Sequence, residues 1–298
     1  MRMVASSELV LSFGQFLKKI GKKDATVQSY CRDLRQFFNF LNENKASLSS
    51  VNHQTLLHYR TAMQARNDGG KSNSFRRAVI AIRQFYRMLP QFSGLPLDAL
   101  DSIPIPNREE IAPRKLKLED VERLLQGSSN SVSLKEARDR AIVSLFCFEG
   151  IKVSELIQLE WKHFLSPQST ASLLIPGERK RVISLNSRTH MNLNAYQKAV
   201  QDNQASLPKN YKMFLGFKGR DFPIISSKVS RHGLKFMLYE LGESCGVSGL
   251  NTEILRHYAI QHHLDSGANP EDIMKHFGLR RIGNISKHRV KKQYESRV

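Results

Sequence analysis

Residues 26–41 read TVQSYCRDLRQFFNFL. Within them Val27, Tyr30, Cys31, Leu34, Phe37, Phe38 and Leu41 follow the i, i+3, i+4, i+7 spacing, which lines one face of a helix with apolar side chains. Asp24 lies just upstream, where a short carboxylate can cap the first turn, and is the expected N-cap. An apolar stripe of this kind is stable only when other elements cover it. The neighbouring sequence supplies them. Weaker helical patterns fit Glu8–Ile20 and Gln54–Gln64, and a second strong one starts at Ser72. That helix carries Phe75, Val79, Ile82, Phe85, Tyr86 and Leu89 on one face, with Arg76, Arg77, Arg83 and Arg87 on the other side. The first third of the chain is expected to be a small four-helix bundle with an arginine-rich ridge.

A composition break follows. Residues 102–117 hold Pro104, Pro106 and Pro113 among charged residues and lack helical periodicity. Each proline removes a backbone donor and pushes the residue before it toward extended geometry, so this stretch is expected to be a linker. It separates a domain at 1–101 from one at 118–298. The second domain reads as mixed. Leu118–Gln126, Glu136–Phe148 and Val153–Leu159 fit helices, while Ala171–Ile175 and Arg181–Leu185 alternate as strands around the turn Pro176–Lys180. Helices resume at Thr189–Gln204, Ser230–Ser244, Thr252–Ser266 and Pro270–Phe277, and a very basic one is expected at Ile285–Arg297. The fold class is therefore mainly α, with a C-terminal α+β domain built around a small β-hairpin.

The chain has 298 residues, with 46 Lys and Arg against 27 Asp and Glu, a formal net charge of +19. Clustered cations gain free energy by displacing counterions from a polyanion, so nucleic acid or an anionic surface is the implied partner. No run of about 18 apolar residues occurs and Met1–Val10 has no long apolar stretch, so neither membrane span nor signal peptide is expected and the cytoplasm is the expected compartment. Three cysteines, Cys31, Cys147 and Cys245, sit in apolar segments without metal-ligand spacing and read as small core hydrophobes. His257, His262 and His263 cluster near Glu253, but on one helix and with unsuitable spacing, so no metal site is expected. Trp161 and most phenylalanines are assigned to the core.

Several segments in order carry a resemblance. Thr26–Phe38, the run Ala137–Leu145 followed by Glu149–Leu159, the pair Leu255-Arg256-His257-Tyr258-Ala259 and Leu264–Ala268, and Ile273–Gly278 resemble successive boxes of the tyrosine recombinases, the phage-integrase family with its Xer-like members. The resemblance spans essentially the whole chain. It implies an N-terminal SAM-like core-binding domain and a C-terminal catalytic-type domain, which together grip double-stranded DNA. It also implies a metal-free and cofactor-free chemistry. In that family a tyrosine attacks a phosphodiester and becomes linked to the 3′ phosphate. Two arginines hold the phosphate oxygens, a hairpin lysine protonates the leaving oxygen, and a histidine pair manages protons.

Carried onto this chain, the roles meet substitutions. Lys152 stands where the first arginine belongs, and a lysine is a point charge that cannot clamp two oxygens. Pro176 falls at the hairpin lysine, unless a shortened turn lets Lys180 serve. Glu253 replaces the histidine three residues before the second arginine, placing a negative charge beside a phosphate. Arg256, the second arginine, is retained. Leu279 stands where the resemblance implies histidine or tryptophan. The tyrosine position falls on His288, or on Lys291 in a second register, with Tyr294 about one turn further as an alternative nucleophile. Groups that act as a unit fail together, so the expectation is loss of strand cleavage. The DNA contacts expected to remain are Arg76, Arg77, Arg83, Arg87, Arg179, Lys180, Arg181, Lys287, Lys291 and Lys292. The expected role is a sequence-selective or accessory DNA-binding factor of a mobile element or replicon, partnered by itself or by other recombination proteins. The alternatives are an active recombinase that uses Tyr294 and a protein–protein adaptor.

Overall fold

A computed structural model describes residues 6–66, 72–89, 105, 107, 115–126, 133–165, 171–219 and 224–280. The three linker prolines and the expected basic helix Ile285–Arg297, with Lys287, His288, Lys291, Lys292 and Tyr294, lie outside the described residues. The chain divides into two compact units, Met1–Ile111 and Ala112–Val298.

The first unit contains α1 (Ser6–Lys19), α2 (Asp24–Glu43), α3 (His53–Arg66) and α4 (Ser72–Met88). The apolar face of α2 is the centre of its core. Val27, Leu34, Phe37, Phe38 and Leu41 pack with Phe13 and Leu17 of α1, Leu56 and Tyr59 of α3, and Val79, Ile82 and Phe85 of α4. Phe85 is met edge-on by Phe13 at 5.8 Å and by Phe38 at 5.3 Å between ring centroids, the arrangement that aromatic quadrupoles favour. The cap of α2 departs from expectation. Lys23 is the N-cap, and Asp24 lies in the first helical turn with a carboxylate oxygen 3.6 Å from Lys18 Nζ. There it meets the positive end of the helix dipole directly instead of capping a single N–H.

In the second unit α5 (Leu118–Gln126) and α6 (Leu134–Cys147) precede a one-turn helix, α7 (Val153–Leu156). Ser133 Oγ accepts from the Glu136 N–H and Glu136 accepts from the Ser133 N–H, a reciprocal box that starts α6. From Ala141 to Cys147 every residue of α6 is buried, so this helix forms the spine of the unit. α7 ends earlier than periodicity suggests, because Gln158 and Leu159 bond to carbonyls three residues back and tighten the chain into turns.

Strands β1 (Phe164–Leu165), β2 (Ser172–Ile175) and β3 (Arg181–Ser184) form an antiparallel sheet in that order, with Ile175 opposite Arg181 at the hairpin turn. A separate pair, β4 (Gly216–Lys218) and β5 (Ile224–Ser226), was not anticipated, since strands of three residues are too short to show alternation. Helices α8 (Ser187–Asp202), α9 (Arg231–Ser244), α10 (Thr252–Asp265) and α11 (Pro270–Phe277) complete the unit. Phe146, Leu173, Ile183, Tyr196, Phe214, Leu238 and Leu255 fill its main core. A smaller cluster of Ala259, Ile260, Ile273 and Phe277 sits between α10 and α11. Among the described residues no helix is long and apolar enough to cross a membrane.

Candidate functional site

The C-terminal end of α11 organises the site. A helix leaves its last four carbonyls without an internal partner. Here Leu279 N–H bonds the Met274 carbonyl at 2.9 Å and Gly278 N–H bonds that of Lys275 at 3.3 Å, with Gly278 left-handed at φ 57°. This is a Schellman ending, and it satisfies two of the four. His276, Phe277 and the turn residue Gly278 still present bare carbonyls. Three arginines reach them. Arg181 Nε donates to the His276 carbonyl at 2.7 Å, Arg256 Nη2 to that of Phe277 at 2.7 Å, and Arg179 Nη1 to that of Gly278. Cations at the negative end of a helix dipole are favourable, and each of these also closes a hydrogen bond.

The same guanidinium groups have further partners. Arg181 forks onto Glu155, with Nη1 3.0 Å from Oε1 and Nη2 3.2 Å from Oε2, and both side chains are nearly buried at 10% and 9% exposure. Burial acts to raise the Glu155 carboxyl, but the hydrogen bonds from Arg181 and from the Lys152 N–H overcome it and hold the group below the usual carboxylate range. Arg256 is 8% exposed, lies over the Phe277 ring and donates through Nη1 to the Gly150 carbonyl. Burial lowers its proton affinity, and nearby Arg181 and Arg179 lower it further against the pull of Glu155 and Glu253. Gly150 is left-handed at φ 53°, and a side chain there would run into the Phe277 ring. Glycine is needed at this point for close approach as well as for its backbone angle.

The sequence-derived site residues now find their places. Lys152 precedes α7, its N–H donating to Glu155 Oε2 at 2.9 Å and its ammonium 4.0 Å from Oε1. Burial depresses its proton affinity, and Arg256, Arg179 and Arg181 depress it further while Glu155 opposes them. Lys152 therefore shares one electrostatic neighbourhood with the three arginines. Glu253 is exposed in the first turn of α10, where Asn251 Oδ1 caps its N–H at 3.0 Å. Leu279 is the apolar closing residue of the Schellman turn and packs with Met274 on the Phe277 cluster. That role calls for an apolar side chain, which accounts for leucine at this position. Lys180 is exposed at the hairpin tip, whereas Arg179 and Arg181 are turned toward α11.

On α4 the ridge is not uniform. Arg77 grips the buried Asp33 of α2, with Nε 2.6 Å from Oδ2 and Nη2 2.8 Å from Oδ1. Arg76, Arg83 and Arg87 lie at seven- and four-residue intervals on another side of the helix, with Arg87 exposed.

Sequence reasoning missed the carboxylates. Asp33, Glu149 and Glu155 are buried, and of these only Glu155 left a signal, standing three residues after Lys152 as in a capping box. Glu149 accepts from the Asn186 N–H at 2.9 Å and lies 3.4 Å from His276 Nε2. The His276 ring is 4.8 Å from that of His263, which in turn lies 3.2 Å from the Phe148 carbonyl. Among the described residues no three His, Cys, Asp or Glu side chains are placed to hold a metal ion. Also missed were Phe236 and Tyr239, 56% and 58% exposed one turn apart on α9, beside exposed Arg231, His232 and Lys235.

A helical bundle, and a second unit in which a hairpin and an arginine-capped helix gather four cations, define a recognisable class. Residues 13–91 match the phage integrase N-terminal SAM-like domain and residues 114–293, more than half of the chain, match the phage integrase family. The chain belongs to the phage integrase family. It is 26% identical over 261 residues to tyrosine recombinase XerD of Halalkalibacterium halodurans, covering 87% of this chain and 84% of that one. Its identity to tyrosine recombinase XerC of Roseiflexus sp. (strain RS-1) is 25% over 259 residues, covering 85% and 79%. Among solved structures, the fold is similar to XerH site-specific recombinase bound to its difH substrate, with TM-score 0.69, 15% identity and coverage of 96% and 82%. A similar match, with TM-score 0.69, 13% identity and coverage of 97% and 96%, is the Tn1549 transposon integrase in complex with a circular intermediate DNA.

Proposed function

We propose that this protein binds double-stranded DNA as a phage-integrase-family factor in DNA recombination and has given up strand cleavage. The carrying observation is the use made of Arg256. Its two terminal nitrogens hold backbone carbonyls of Gly150 and Phe277, and its side chain is buried. In the role the resemblance implies, those nitrogens face phosphate oxygens. The neighbouring positions point the same way. Lys152 offers one charge where a fork is expected, and Glu253 adds a repulsive carboxylate three residues before Arg256.

Affinity for DNA is supported by the net charge of +19 and by exposed cations at Lys180, Arg231 and Lys235. Phe236 and Tyr239, exposed among these cations on α9, give that helix the mixed basic and aromatic surface suited to a groove. Arg76, Arg83 and Arg87 recur along α4 of the first unit beside Arg77, which is partly exposed while it holds Asp33. XerH and the Tn1549 integrase, whose folds this one resembles, were solved on DNA.

A duplex nicked beside the cleavage position traps any covalent intermediate. The proposal expects tight, salt-sensitive binding with no covalent band. A covalent band that vanishes in Tyr294→Phe establishes an active recombinase instead. A log–log salt slope equivalent to fewer than about three phosphate contacts argues against DNA as the partner.

A further inference from the structure

The three arginines on the end of α11 are not held alike. Arg181 is fixed twice over, by its fork on Glu155 and by the His276 carbonyl, and its side chain is 10% exposed. Arg256 is pinned between carbonyls on two sides and is buried. Arg179 holds a single carbonyl, that of Gly278, through a single nitrogen. It is only half-buried and stands in the hairpin turn two residues after Gly177, whose φ of 104° only glycine adopts readily, next to the exposed Lys180.

The carbonyl it holds is also the most dispensable of the set. The Schellman bonds of α11 run to Met274 and Lys275, and Gly278 lies beyond the helix. Meanwhile Lys152, Arg179, Arg181 and Arg256 repel one another, with buried Glu155 and exposed Glu253 as the acidic groups acting on them. An anion entering this neighbourhood relieves that repulsion. A phosphate oxygen adds the attraction of opposite charges to the hydrogen bond of a guanidinium, which a neutral carbonyl cannot do.

We propose that Arg179 is an exchangeable latch. Without an anion it holds the Gly278 carbonyl and steadies the end of α11. A phosphate oxygen, from a nucleic-acid backbone or from free phosphate, takes the guanidinium and leaves that carbonyl to water. Binding the anion and loosening the turn at Gly278–Leu279 are then one equilibrium seen from two sides. The nucleic-acid half of this inference rests on the function proposed above, and the free-phosphate half does not.

Hydrogen exchange at the Gly278 and Leu279 amides of the full chain tests it, measured alone, in inorganic phosphate and with a short duplex whose binding is followed separately by anisotropy. Loss of one charged hydrogen bond should speed exchange there about tenfold in either anion while α8 stays protected. Arg179→Ala should show the faster rate without any anion and no further response. The latch is overturned if saturating phosphate leaves exchange unchanged, or if Arg179→Ala keeps wild-type protection. Bound duplex without a change, while phosphate still accelerates exchange, keeps the latch but removes nucleic acid as its trigger. Absence of duplex binding sinks the proposed function alone, and the phosphate arm still decides the latch. If Arg179→Ala does not fold, the side-chain nitrogen resonances of wild type are followed through a phosphate titration. Movement of Arg179 without Arg181 supports the latch, and movement of both or of neither refutes it.

Discussion

Among the described residues each unit contains an arginine forked onto both oxygens of a buried carboxylate, and the two forks are built differently. In the first unit Asp33 is 2% exposed while its partner Arg77 is 44% exposed, so only one end of the pair has left water. In the second unit Arg181 and Glu155 are both nearly buried, and Arg181 also caps α11. The Arg77 pair fastens two helices of a bundle whose aromatic core already holds them. The Arg181 pair sits in a cluster where four cations are gathered and where the chain's own carbonyls take up part of the charge. One is a rivet, the other the keystone of a site. An exposed arginine can lose its partner and return to water, whereas a buried one cannot.

The largest effect is expected from Arg181→Met. It leaves Glu155 with only the N–H and the more distant ammonium of Lys152 and uncaps His276, and unfolding by urea should show a loss of about 3–5 kcal/mol. Gly150→Ala comes next, at about 2–4 kcal/mol, from left-handed strain together with the clash on Phe277. A neutral outcome there would mean that Phe277 does not pack this closely on Gly150. The first unit supplies the asymmetric case. Arg77→Ala leaves a buried carboxylate unpaired and should cost about 2 kcal/mol, while Asp33→Asn leaves Arg77 free to reach solvent and should cost about half as much. Equal losses from the two changes would erase the contrast between the forks.

The smallest effect concerns pH. Burial, and then the nearby His276, lowers the proton affinity of His263, so the unfolded chain binds this proton more readily than the folded one. The stability tied to His263 is thus fully present above about pH 6.5 and declines as the pH falls through the depressed folded value. Thermal melts between pH 8 and pH 5 should show the decline, and His263→Asn should flatten it.

Much of the bundle could be read from residues 26–41 and from the arginine-flanked helix after Ser72, because an apolar face is a local pattern that survives in any helical context. The bounds of Leu118–Gln126 and Pro270–Phe277 emerged from periodicity and caps as the structure has them. The expected N-cap at Asp24 did not, since a carboxylate serves equally well one position further in. The two-residue strand β1 and the β4–β5 pair carry too few residues to announce themselves.

The sequence by itself determined the helical layout, the basic charge, the order of family boxes and the presence of Lys152, Glu253, Arg256 and Leu279 at positions where the family pattern is expected. Tertiary structure alone decided what each arginine holds. Arg77 finds Asp33 44 residues away, Arg181 finds Glu155 at 26, and Arg179 and Arg256 find their carbonyls at 99 and 106. A helical stripe repeats every few residues and is legible in a short window. The partner of a guanidinium is chosen by which distant carboxylates and helix ends the fold removes from water, and no short window contains that choice.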